Sequence, residues 1–197
     1  MDDALILKGA FRLLGAKTED ADAALLLEKV YAAHKSIFLP RALYSLRKIT
    51  EREPAIRLEG YAFSFTGESI KRHLLHAEHA LLTAFTLGIA VDKKIKELSL
   101  TRPSESVALN AIASVYAEAI ADEMLLEERR KIEAEGYKTT FRFCPGYGDL
   151  PLAVNGEIAL ALEAQKKIGL TVTEDGLLLP RKSMIGICGV IPAENEV

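Results

Sequence analysis

Tryptophan is absent, and cysteine occurs only twice, at Cys144 and Cys188. Two thiols cannot build the disulfide framework that staples small secreted domains, so both are expected to be reduced. Histidine stops at His79. No imidazole therefore follows Cys144 to activate it, and no Ser-His-Asp order or G-x-S-x-G elbow is present. A P-loop is missing, as is a G-x-G-x-x-G between strand and helix. No apolar run approaches the ~20 residues of a membrane-spanning helix. The N-terminus, Met1-Asp2-Asp3, lacks the basic stretch of a signal peptide, so a cytoplasmic location is expected. The formal net charge is -3, which removes the basic field that would draw in nucleic acid.

What is present fits an ordinary folded chain. Hydrophobic residues make up 49% of the 197 positions and charged residues 27%, enough for one sizeable core with a solvated surface. Apolar spacing predicts a helix over 3–14, stopped at Gly15, and a second over 19–36 with Thr18 as its cap. Acidic residues Glu19, Asp20 and Asp22 suit that helix's first turn. After Pro40, residues 42–50 and 56–65 read as extended, with Tyr61, Phe63 and Phe65 alternating. Residues 67–79 read as helical. Ala80–Leu87 is too short and too apolar for a helix and reads as a buried strand. Helices over 89–98 and 105–135 follow, the latter capped by Ser104 and ended by Gly136. A strand before Arg142, a helix near 154–167 and strands near 170–173, 176–179 and 183–191 complete the pattern. Helices and strands do not alternate strictly, so the class is α+β with a single domain over 1–197. Residues 1–66 form its helical and extended N-terminal part, and 67–197 its core.

One stretch carries most of the chemistry. Arg142-Phe143-Cys144-Pro145-Gly146-Tyr147-Gly148-Asp149-Leu150-Pro151 sets a fixed cation, two glycines and a phenol between prolines. Pro145 and Pro151 forbid a regular helix, and the glycines permit backbone turns closed to other residues. A planar guanidinium holds a carboxylate through two parallel N–H···O bonds. Tyr147 can stack on a ligand or donate its hydroxyl. The natural guest is an anionic or zwitterionic small molecule. Glu118, in Tyr116-Ala117-Glu118-Ala119-Ile120, is either a surface glutamate or the carboxylate that receives the guest's cationic group. His73, His76 and His79 invite a metal reading. However, residues six apart drift about 120° round a helix, so no metal site and no catalytic acid or base is assigned.

These residues carry a family likeness. The Arg142–Pro151 loop resembles the signature loop of the activation domain of cobalamin-dependent methionine synthase. Ala164-Gln165-Lys166-Lys167-Ile168-Gly169-Leu170-Thr171-Val172-Thr173-Glu174 and Pro180-Arg181-Lys182-Ser183 resemble the segments that follow it in that family. The specific likeness covers 142–190, and Thr86-Leu87-Gly88 and Ala117-Glu118-Ala119 fit more loosely. The resemblance implies a curved antiparallel sheet with flanking helices that binds S-adenosylmethionine. By the same resemblance, Arg142 holds the ligand's carboxylate, while Cys144, Pro145, Gly146, Tyr147 and Gly148 line the pocket. Glu118 becomes the acidic partner, and a C-terminal aromatic contact of the family falls at Cys188. An acidic contact that the family makes in an Asp-Trp context has no counterpart here.

The implied role is accessory to a methyltransferase. It is reductive methylation of cob(II)alamin on a separate methionine synthase, with S-adenosylmethionine as methyl source and a flavodoxin-like electron donor. The chain lacks the Asp-x-His-x-x-Gly corrinoid motif and a zinc-binding cysteine cluster, so the cobalamin would be held by the partner. The alternative is a non-catalytic module that binds S-adenosylmethionine or a corrinoid as a sensor or assembly partner.

Overall fold

A computed structural model describes residues 2–15 and 20–193. Helix α1 spans Asp3–Leu13, and the Asp2 carboxylate accepts from the Ala4 N–H at 2.9 Å. Helix α2 spans Ala21–His34, capped by Asp20, which accepts from the Ala23 N–H. Thr18 and Glu19 lie outside the described residues.

The sheet forms from chain segments far apart in sequence. Strand β1 (Arg41–Glu51) pairs antiparallel with β4 (His79–Thr86) from Arg41↔Thr86 to Lys48↔His79. On its other side β4 pairs antiparallel with β8 (Ser183–Pro192), from His79↔Val190 to Thr86↔Ser183. Short strands β2 (Ile56–Leu58) and β3 (Ser64–Phe65) extend one edge, and β5 (Tyr137–Thr139) closes the other. The order is β3-β2-β1-β4-β8-β5, an open sheet. The apolar run read as a buried strand is its centre, with seven of its eight residues buried.

Helices cover both faces. On one face α1, α2, α4 (Ile89–Thr101) and the first half of α5 (Pro103–Ala134) enclose Ile6, Leu27, Phe85, Leu109 and Ile112. The alanines at 108, 111, 113, 117 and 121 of α5 are buried at these contacts. On the other face α3 (Glu68–His73), α6 (Val154–Ala161) and α7 (Ala164–Ile168) pack on Leu82, Ile185 and Ile187. Leu82, Leu109, Ile112 and Ile187 expose no surface, and each such side chain stabilises the fold by about 1.5–3 kcal/mol relative to exposure. No helix among the described residues is long and apolar enough to cross a membrane.

Three expectations need correction. The helix over 67–79 stops at His73, because the Arg52 guanidinium donates to the carbonyls of Leu74 and Ala77 and draws the chain into a turn. Helix α5 starts at Pro103, whose fixed φ suits the first helical position, which leaves Ser104 inside the first turn instead of capping it. The helix near 154–167 is two helices, separated where Glu163 takes a left-handed φ of 53°. Strands β6 (Thr171–Val172) and β7 (Leu178–Leu179) form a separate two-stranded hairpin outside the main sheet.

Candidate functional site

The site begins where the sheet continues past β5. Phe143 exchanges both backbone hydrogen bonds with Ile187, at 2.9 and 2.8 Å, so the chain around it runs as a short extra strand beside β8. Side chains alternate along such a segment. Phe143 turns into the core with Ile185 and Ile187, which sends Arg142 to the opposite face, beneath α5. There the Arg142 stem crosses Gly186. A Cβ built on Gly186 would lie 2.3 Å from Arg142 Cγ and 2.9 Å from its Cδ, so only glycine leaves the stem room.

The guanidinium ends between two carboxylates of α5. Its Nη2 donates to Glu118 Oε1 at 2.8 Å, and Nη1 lies 3.3 Å from Asp122 Oδ1. The arginine side chain is 10% exposed and the two acids 61% and 65%. Burial alone would lower the guanidinium pKa, but Glu118, Asp122 and the Cys144 thiol outweigh it and the net shift is upward. One cation against two carboxylates leaves one net negative charge. Burial pushes the Cys144 thiol up, against the opposing pull of Arg142 and Tyr147, which favours the thiol form at neutral pH.

The loop that follows is closed on itself. Gly146, at φ 93°, donates its N–H to Leu150 O, Tyr147 donates to Cys144 O, and Leu150 donates to Tyr147 O. Gly148, at φ 55°, sits so close to α3 that a Cβ there would be 2.3 Å from Ser69 Oγ. Asp149 fastens the same contact by accepting from the N–H groups of Glu68 at 2.7 Å and Ser69 at 2.9 Å. Those bonds, Ser69 first, hold its carboxyl below the ordinary carboxylate value. Its contribution is therefore complete above the unfolded pKa of about 4 and is lost as pH falls through the lower folded value. Asp149→Asn is expected to lower Tm at pH 7, with the gap to the parent protein closing toward about pH 3. Thermal melts at both pH values check this, and an equal gap at both would contradict it.

Between this loop, α5 and the β6–β7 hairpin lies a cleft of about 550 Å³. Glu118, Arg142, Cys144, Pro145 and Tyr147 line it together. Gly146 and Gly148 do not line it. The Gly146 N–H is committed to the turn and Gly148 packs against Ser69 of α3, so both shape the loop. Cys188 is also not on the wall. It shares the α5 face with Arg142, but Leu125 and Ile132 pack over it, it has no exposed surface, and burial raises its thiol to about 11. Both cysteines are free thiols.

Two residues that set the Arg142 fork had no motif to mark them. Asp122 stands four residues from Glu118, the spacing that shares a helix face, and that was its available signal. Gly186 is one of two glycines inside β8, and a glycine within a strand marks a close approach. Leu177, Leu178 and Leu179 of the hairpin form the apolar wall. His73 lies away from the cleft lining. Its Nε2 meets Thr140 Oγ1 at 3.0 Å and Ile187 O at 3.2 Å, and its ring packs against Phe141 and Phe143. His79 begins β4, and no group of three metal-ligating side chains occurs among the described residues.

No family model matches the chain, and no curated protein does. Among solved structures it is similar to the MetH reactivation domain bound to AdoHcy, with a TM-score of 0.65 and 18% sequence identity. The likeness covers 94% of this chain and 70% of that one. An open antiparallel sheet with helices on both faces, matched over nearly its whole length, gives this chain the fold of the MetH reactivation domain.

Proposed function

We propose that this protein binds S-adenosylmethionine in the Arg142 cleft and presents its methyl group to a cobalamin held by a separate methionine synthase. The observation that carries this reading is the buried guanidinium set between Glu118 and Asp122 at the cleft wall. S-adenosylmethionine has a carboxylate, an ammonium and a sulfonium, one net positive charge, opposite to that of the Arg142–Glu118–Asp122 cluster. Its carboxylate takes the arginine fork, which both acids occupy in the unliganded protein. The acids turn to the ammonium and sulfonium. Because they are more than half exposed, they rearrange at little cost. The apolar Leu177–Leu179 wall accepts the less polar part of the ligand.

The chain's contribution is placement. Its residues fix the sulfonium so that the methyl faces the cleft mouth, and proximity lowers the barrier. No side chain is assigned a proton transfer. A corrinoid held by the partner and reduced by one electron from a flavodoxin-like donor would supply the nucleophile that accepts the methyl group, while Arg142, Glu118 and Asp122 hold the sulfonium in place. S-adenosylhomocysteine remains in the cleft. The fold likeness and the Arg142–Pro151 loop both support this reading.

Calorimetric titration with S-adenosylmethionine and S-adenosylhomocysteine is expected to show saturable binding of both. No heat up to millimolar ligand would overturn the proposal. Added to inactive Co(II) methionine synthase that lacks its own activation domain, with donor and S-adenosylmethionine, the protein is expected to restore the methyl-cobalamin absorbance. Binding without restoration would leave only the sensor or assembly role.

A further inference from the structure

Arg181 and Ser183 line the cleft where β8 begins, just after the leucine wall. The chain between wall and strand is firmly held. The Arg181 N–H donates to Asp92 Oδ2 at 2.6 Å, and Lys182 Nζ donates to Asn110 Oδ1 at 2.8 Å and to Ser114 Oγ at 2.7 Å. Lys182 O accepts from the Leu87 N–H at 2.9 Å. The Arg181 guanidinium takes no part in this. The residue is exposed, and its side chain has neither an ion pair nor a hydrogen bond among the described residues. Ser183 is partly exposed and offers the complementary half. Its Oγ donates to Thr86 Oγ1 at 2.8 Å, which also accepts the Gly88 N–H at 3.0 Å. The serine proton is therefore committed inside the sheet, and what remains at Oγ is acceptor capacity. Donors at Arg181 beside an acceptor at Ser183 do not suit an anion, which would face the serine lone pairs. They suit a group that accepts and donates at neighbouring atoms, and a vicinal pair of hydroxyls does both. Position agrees. The Arg142 stem crosses β8 at Gly186, and at about 3.3 Å per residue Ser183 lies about 10 Å away along the strand. A ligand held by its carboxylate at Arg142 and by its base on the leucine wall has its sugar between them.

We propose that Arg181 and Ser183 form the sugar subsite of the cleft: the Arg181 guanidinium donates to the ribose hydroxyl oxygens, and Ser183 Oγ accepts from one of those hydroxyls. This rests on the reading that the cleft takes an S-adenosyl compound and adds the residues that hold its sugar. Because the backbone from Arg181 to Ser183 is already fixed, only the arginine side chain is ordered when the ligand arrives. A site built to hydrogen-bond hydroxyls rejects the analogue that lacks them, since its polar groups are then left without partners. Arg181 is exposed, so water replaces part of what is lost and the discrimination is moderate.

The probes are S-adenosylhomocysteine and its 2′,3′-dideoxy analogue, in which hydrogen replaces both ribose hydroxyls, titrated by calorimetry. The parent protein is expected to bind the ribose compound about 10- to 100-fold more tightly. Arg181→Met keeps the unbranched stem and removes the donors, and Ser183→Ala removes the acceptor. Each should shrink the preference, and the double variant should bring both ligands to the same affinity. Arg181→Lys restores a cationic donor and should recover part of the preference. A purely structural role gives a different pattern, with the variants weakening both ligands equally and the preference intact. Equal binding of the two ligands by the parent protein, or undiminished preference in the double variant, overturns this assignment and leaves the cleft's function standing. Binding of neither ligand overturns both.

Discussion

Gly186→Ala is expected to lower affinity for S-adenosylmethionine by about 100-fold, although it adds a single methyl group inside a central strand. That methyl is the Cβ that would sit 2.3 Å from Arg142 Cγ. Neither side can yield by a small shift. Gly186 lies opposite Thr83 in β4, and its neighbour Ile187 exchanges both backbone bonds with Phe143, so β8 is held from both sides. The collision involves the first carbons of the arginine stem, so the whole side chain must swing out. It then loses the position between Glu118 and Asp122. Two charge-assisted hydrogen bonds to a ligand carboxylate contribute roughly 1.5–3 kcal/mol each, and losing the geometry of both accounts for the expected factor. The strand itself accommodates alanine, so calorimetry should report the loss while the far-UV spectrum stays unchanged. Parent-like affinity would show that the stem has another route past β8.

Arg142→Met is expected to cost 100-fold or more in affinity and little in stability. Methionine keeps an unbranched stem over Gly186 and removes only the charged fork. Breaking a buried ion pair normally costs several kcal/mol, because the surviving partner stays buried and unpaired. Here the survivors are exposed by 61% and 65% and return to water. The lost term is therefore the ligand's carboxylate contact alone, and it dominates. Arg142→Lys should fall between, since an ammonium supplies charge without the planar fork. Thermal melts beside the titrations separate the two quantities. A fall in Tm that matches the loss of binding would assign Arg142 a structural role instead.

These effects show which parts of the site could be read from the chain and which could not. The loop was legible because proline and glycine dictate local backbone, whatever surrounds them. Strand β4 was legible because a mostly apolar run of eight residues is too short for a helix and buries well in a sheet centre. The end of α3 was not, because it depends on Arg52, more than twenty residues earlier. Cys188 was misplaced for a related reason. Alternation along β8 gives its face, but whether that face opens to the cleft depends on where Leu125 and Ile132 of α5 come down. Asp122 and Gly186 are ordinary residues until helix docking and register set them against Arg142.

The closure of the Arg142–Pro151 loop has a thermodynamic consequence. Its turns are held by its own backbone bonds, and Asp149 ties it to α3 on the opposite face of the sheet. Its conformational entropy is therefore lost when the protein folds and not when the ligand arrives. Association is then limited by diffusion and by stripping water from the exposed edge of a largely buried cation, and residence time becomes the quantity that wall substitutions change.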